Sequence, residues 1–353
     1  MQTALPPNSE TQARLREKAV GAYLGLAIGD ALGATVEFMT PGEIRRDFAR
    51  QGGAHRDIIG GGWLRLKAGQ TTDDTSMSLA LGEAILADSG RVEALSAARA
   101  FDQWMRAKPT DIGNTVRRNL IRFRTTGETE APVSEHDAGN GAVMRFLPVA
   151  LATFGQEAAM VAAAFRAQAH VTHNNPLSDA GGECLLAMLH SALSSCGRQF
   201  SFGQGDVPFP SGGERQGTGE ALPSATEHCR PQDAQDWEEI VPRKILFAEA
   251  RALEARYREF SWSAARRQEN PSGYIAHTLI AVFQAFFGTE SFEACLIDVV
   301  NRGGDADTTG AIAGALAGAW YGLEAIPPRW KNALEAKTAH RCAEQAERLL
   351  ACA

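Results

Sequence analysis

Two short stretches far apart in the chain carry residue types suited to metal-assisted hydrolysis. One is Thr71-Thr72-Asp73-Asp74-Thr75; the other is Asp305-Ala306-Asp307-Thr308-Thr309, which follows the Gly303-Gly304 pair. Each precedes a helix-forming run, so each falls where a helix should begin. Carboxylate and hydroxyl oxygens are hard ligands, suited to Mg²⁺, Mn²⁺ or Ca²⁺ rather than to zinc or copper. A single cluster of this kind reads first as helix capping, since Asp and Thr accept the orphan N–H groups of a first turn. Two such clusters from opposite ends of the chain could together supply a two-metal site.

Other candidates are weaker when taken alone. Gly139-Asn140-Gly141 reads as a bend opening a helix, with N–H groups aimed at a diphosphate or another anion, or else as ordinary turn chemistry. His170 and His173 lack a third nitrogen or sulfur ligand nearby, which favours a hydrogen-bonding role over zinc. Asp111 or Thr110 reads as the cap of the helical run that follows, and Glu37 reads as a loop carboxylate beside the Pro41-Gly42 turn.

The elements that must position these residues read as helices almost throughout, and strand signals are nearly absent. Helical patterns cover about residues 15–35, 76–87, 92–107, 237–257, 273–287, 292–300, 310–322 and 331–352, with further starts near Thr115, Pro148 and Pro176; Asn175 is the expected N-cap of the last. The fold class is therefore all-α. Gly21, Gly25, Gly29 and Gly33 recur every four residues, and Gly310, Gly314, Gly318 and Gly322 repeat the device. A helical Gly costs roughly 1 kcal/mol against Ala, so such a series predicts very close helix–helix packing in compensation. Asp30 within the first of these helices argues against a membrane use.

The 44% hydrophobic and 22% charged content is that of an ordinary globular chain, and a net charge of −7 argues against a nucleic-acid partner. Six cysteines without a C-x-x-C pair suggest reduced thiols in a cytoplasmic protein. Residues 1–14 read as a disordered tail. Residues 197–236, with seven Gly and four Pro, read as an irregular insertion within a single domain spanning 15–352.

Taken in order, Gly25-x3-Gly29-Asp30-Ala-Leu-Gly33, Thr72-Asp73-Asp74-Thr75, Gly139-Asn-Gly-Ala-x-Met144-Arg145 and Gly303-Gly-Asp-Ala-Asp-Thr-Thr-Gly310 resemble the ADP-ribosylglycohydrolase family over residues 18–335, the insertion excepted. The resemblance implies an all-helical, single-domain hydrolase with two divalent ions, Mn²⁺ or Mg²⁺. It puts the metal ligands on Thr72, Asp73, Asp74, Asp305, Asp307 and Thr308. Asp111 would be the catalytic carboxylate and Glu37 the carboxylate at the pocket edge. ADP-ribose would be held by Gly139, Asn140, Gly141, Met144, Arg145, His173 and Tyr274. The implied reaction cuts ADP-ribose from a modified protein arginine, with dinitrogenase reductase the expected substrate. A PII signal protein and its membrane ammonium channel are the expected regulatory partners, which would permit peripheral membrane association. A two-metal phosphohydrolase and a non-catalytic ADP-ribose-binding protein are the competing readings.

Overall fold

The computed structural model describes residues 9–135, 137–195 and 237–353. The proposed insertion at 197–236 lies outside them. Among the described residues there are fourteen α-helices and no strand, only isolated bridges at Gly61–Leu66 and Gly139–Tyr274.

The centre is a pair of helices, α1 (Ser9–Gly33) and, by its place in the chain, α12 (Ala306–Tyr321). They run antiparallel with their backbones in contact. A methyl on Gly25 would lie 2.1 Å from the carbonyl oxygen of Gly314, one on Gly29 1.9 Å from that of Gly310, and one on Gly33 2.1 Å from that of Ala306. The spacing of four keeps this row on one face of each helix. Gly322 is the exception in the series: its φ of +82° ends α12 instead of extending the ridge. The first helix also begins earlier than the sequence pattern indicates. It starts at Ser9, inside the segment read as a disordered tail, and Glu10 in its first turn forms an i,i+4 pair with Arg14.

Around this axis, α2 (Pro41–Asp47), α3 (Asp73–Ala87), α4 (Ala94–Arg106) and α5 (Asn114–Thr126) form the first group. They are followed by α6 (Leu147–Ala152), α7 (Ala158–Ala169) and α8 (Pro176–Ser194), then by α9 (Trp237–Arg256), α10 (Ile275–Gly288) and α11 (Phe292–Val300). The chain closes with α13 (Pro328–Ala333) and α14 (Ala336–Leu350). Helices α3, α8, α10, α11 and α14 pack directly on the central pair, which explains why nearly every residue of α12 is buried. No helix among the described residues is long and apolar enough to cross a membrane.

Two local expectations change. Pro41-Gly42 is not a free turn but the first turn of α2, because Thr40 and Glu43 form a reciprocal capping box with Pro41 at N1. The last helix is split in two. Gly69, at φ +80°, brings its backbone so close that an added methyl would lie 2.0 Å from the Ala333 carbonyl oxygen, and the Glu335 N–H bonds to the Gly69 carbonyl instead of continuing the helix.

Candidate active site

The N-termini of α3 and α12 meet, and neither N-cap residue caps its helix with its own side chain. Thr72 at the N-cap of α3, Asp305 at that of α12 and Gly113 at that of α5 make no side-chain capping bond. For α3 the task passes to another helix. The buried carboxylate of Asp30 accepts the Thr72 N–H at 2.9 Å, the Thr72 hydroxyl at 3.0 Å, the Thr75 N–H at 3.0 Å and the Thr75 hydroxyl at 2.5 Å. Asp30 thereby takes the N–H groups of the N-cap Thr72 and of Thr75 in the first turn, so that neither Asp73 nor Asp74 is needed for them. Sequence reasoning did not count Asp30 as a site residue. The signal was present: a carboxylate inside an otherwise apolar, glycine-ridged helix needs buried partners.

Asp73, Asp74 and Asp307 each place a carboxylate oxygen within 4.8 Å of the others, and so do Glu37, Asp305 and Asp307. The two groups share Asp307. The Thr72 hydroxyl stands 3.3 Å from both Asp74 Oδ2 and Asp307 Oδ2, and the Thr308 hydroxyl 3.4 Å from Asp74 Oδ2. All six residues named as metal ligands thus come together, and Glu37 joins them. Asp305 is oriented by the Asn140 amide, which donates to its Oδ2 at 2.6 Å and to Thr278 at 2.9 Å.

None of these carboxylates pairs with Lys or Arg among the described residues, and Asp74 Oδ1 is buried without a hydrogen-bond partner. Burial and mutual repulsion raise their proton affinities. Burial, then the charges of Asp111 and Asp30, lift Asp73 to about 7. Glu37 is lifted to about 8, chiefly by burial, against the opposing bond from Trp63. Asp74 and Asp307 are raised by burial and by neighbouring carboxylates. Buried like charges with an unused oxygen are unfavourable unless a cation joins them, and an all-oxygen donor set fits a hard divalent ion. The positive N-terminal ends of α3 and α12 supply only part of the compensation.

This electrostatic frustration makes stability in chelator depend on pH. A carboxyl with a raised folded pKa binds protons more tightly in the native state, so native stability falls as pH rises from the unfolded value to the folded one. For Asp73 the window runs from 3.8 to about 7, and for Glu37 from 4.5 to about 8. Chelated protein should therefore show a lower Tm at pH 8 than at pH 5.5, and Asp73→Asn should shrink that difference. An equal pH dependence in the variant would contradict the assignment of the penalty to this cluster.

Asp111 lies half-buried in the loop between α4 and α5, and its charge acts on Asp73, Glu37 and Asp305. It thus lies near the cluster, and α5 has no side-chain cap. Gln70 ties this loop to the approach of α3 through a 3.2 Å bond to Thr110.

The residues assigned to ADP-ribose divide into an edge and its support. Asn140, Gly141, Gly139 and Tyr274 form the edge, joined by the Gly139–Tyr274 bridge, and Gly273 borders Asp305, where an added methyl would lie 3.5 Å from Oδ2. The bend does not open a helix: α6 starts only at Leu147, and the Gly139 and Asn140 N–H groups are spent on Asp137 and Gly273. An anion cradle made of all three N–H groups is thereby corrected. Met144, Arg145 and His173 are buried behind the edge. Arg145 donates to Gly141 O, Gln168 and Thr172 and lies 4.3 Å from the centroid of the Phe101 ring, so it braces the bend. The His173 ring underlies the bend closely enough that a methyl on Gly141 would lie 2.7 Å from it. Burial, then the charge of Arg145, lowers His173 to about 3 and keeps it neutral. His170 turns away to Asp179 and Glu130, as a hydrogen-bonding histidine.

Comparison with known proteins agrees with this architecture. The family model for ADP-ribosylglycohydrolase matches residues 11–352. The ADP-ribosyl-dinitrogen reductase glycohydrolase of Rhodospirillum rubrum is 43% identical over 97% of this chain and 99% of its own length. The ADP-ribosylarginine hydrolase Tri1 of Pseudomonas putida (strain GB-1) is 31% identical over 91% of this chain and 75% of its own. A solved structure described as an ADP-ribosylglycohydrolase-related protein complex superposes with a TM-score of 0.73 at 29% identity, covering 96% of this chain and 99% of that one. With its helical fold and its paired acidic helix starts, the chain belongs to the ADP-ribosylglycohydrolase family.

Proposed function

We propose that the chain is a metal-dependent ADP-ribosylarginine hydrolase whose protein substrate is dinitrogenase reductase. The observation that carries the reaction is the pair of carboxylate groups sharing Asp307, with Asp30 taking the Thr72 and Thr75 bonds at the start of α3. The arginine linkage and the substrate are supported by the names and similarity of the relatives from R. rubrum and P. putida. Two divalent ions, Mn²⁺ or Mg²⁺, would be held by Thr72, Asp73, Asp74, Asp305, Asp307 and Thr308, with Glu37 at their edge. When bound, they would supply charge stabilisation for ribose hydroxyls and acidify water.

In the reaction, water oxygen bonds to the anomeric carbon of the ribose, the carbon–nitrogen bond to the guanidine breaks, and one proton passes to the departing nitrogen. The products are ADP-ribose and unmodified arginine. Carboxylates around that carbon favour its oxocarbenium-like transition state. Asp111, half-exposed and near the cluster, is the group that takes the proton from water or gives one to the guanidine. Tyr274, at the glycine edge, offers its ring to the adenosine. This reading places the enzyme in the cytoplasm, with a PII signal protein as a regulatory partner.

Asp111→Asn tests the assignment. It should lower ADP-ribose release by about 10²–10⁴-fold, the range for losing a general acid or base, while metal titration by calorimetry stays close to wild type. Retained release would remove Asp111 from the chemistry. Lost metal binding would make it a ligand instead.

A further inference from the structure

Next to the acidic cluster the protein exposes two aromatic rings that its own core does not need. Phe38 is 64% exposed and Trp63 52% exposed, with ring centroids 5.4 Å apart, and Ile59 nearby in sequence is 53% exposed. Trp63 sits on a tight loop closed by reciprocal bonds between Gly61 and Leu66. That loop is pressed on the end of α1, where a methyl on Gly62 would lie 2.3 Å from the Ala34 carbonyl oxygen. From there the Trp63 indole N–H donates to Glu37 Oε2 at 2.6 Å.

Phe38 is held at φ +61°, a conformation that costs a non-glycine residue of order 1 kcal/mol. Its backbone is fixed there by bonds that link Phe38 and Met39 to Gly304, at the turn leading into Asp305. A strained, exposed aromatic gains little from burial, so stability does not account for it. Its position does have a consequence: the same turn fixes both the ring and the carboxylates.

Resting on the arginine-hydrolase reading above, we infer that Phe38 and Trp63 form an aromatic lip that docks the polypeptide segment carrying the modified arginine. Asp305 lies between two edges. On one side Asn140 joins it to the Gly139–Tyr274 edge; on the other it groups with Glu37, which Trp63 holds. With the nucleotide on the first edge, the scissile bond points its arginine toward the second. A chain leaving a cationic guanidinium there meets acidic groups inside the cleft and flat apolar surface outside it. Aromatic faces suit both the arginine stem and apolar neighbours.

The test compares an arginine-ADP-ribosylated protein with ADP-ribosylated agmatine, a guanidine without polypeptide. For Phe38→Ala and Trp63→Ala, the ratio of kcat/KM on the protein to kcat/KM on agmatine should fall by about ten-fold or more, mainly through KM for the protein. Trp63→Phe keeps a ring but loses the N–H to Glu37. Its absolute rates will move with Glu37, yet its ratio should stay within about two-fold of wild type. If Phe38→Ala and Trp63→Ala lower both substrates equally, the lip acts only by positioning Glu37, and the inference is overturned. If wild type cleaves neither substrate, the arginine reading fails and takes the lip with it.

Discussion

Asp307→Asn should lower kcat/KM by about three orders of magnitude, the size expected when a principal electrostatic contributor is removed. Asp307 belongs to both carboxylate groups, so this one change removes a carboxylate from each. The same substitution should raise the Tm measured in chelator. Asp307 is buried, and Glu37, Asp74, Asp305 and Asp30 all oppose its charge. An amide keeps an oxygen for the Thr308 N–H, 2.9 Å away, while shedding the repulsion. Activity and metal-free stability thus move in opposite directions. A variant that loses both would mark Asp307 as a folding residue, and one that keeps its activity would remove it from the site.

Gly25→Ala should destabilise the fold severely for so small a substitution. The added methyl would lie 2.1 Å from the Gly314 carbonyl oxygen, and backbone cannot rotate away as a side chain can. The two central helices must separate, and each neighbour packed on them must shift. Overpacking on this scale costs on the order of 3 kcal/mol, or roughly 4 °C in Tm for a chain of this size. Gly288→Ala provides the control of opposite sign. It is exposed at the end of α10 with nothing within 4 Å, so Ala there should leave Tm unchanged or raise it slightly. A Gly25→Ala protein that melts with wild type would contradict the backbone-contact account of the ridge.

The ridge was legible in the sequence because period-four glycines have few uses, and α1 and α12 match them. The acidic helix starts were legible for the same reason of position, although capping remained a competing reading until the fold showed Asp30 bonding the start of α3. Long-range assignments of this kind are not encoded in local spacing: Asp30 and Thr75 are 45 residues apart. Nor does a motif tell which way a side chain faces. Arg145 and His173 belong to recognisable stretches, yet burial turns them into the support of the Gly139–Gly141 edge. The division of α13 from α14 depends on Gly69 reaching across from a distant loop, which helical periodicity in 331–352 has no means of registering. Trp63 carried no sequence signal, because its bond to Glu37 exists only once the 61–66 loop folds onto α1.

The most direct measurement is ADP-ribose release from an arginine-ADP-ribosylated protein by the wild-type chain, with Mn²⁺ or Mg²⁺ and again after chelation. The account predicts free ADP-ribose and intact arginine with metal, and loss of release with chelator that added metal restores. Release that persists unchanged in chelator, or ADP-ribose that stays bound to the protein under both conditions, would contradict it.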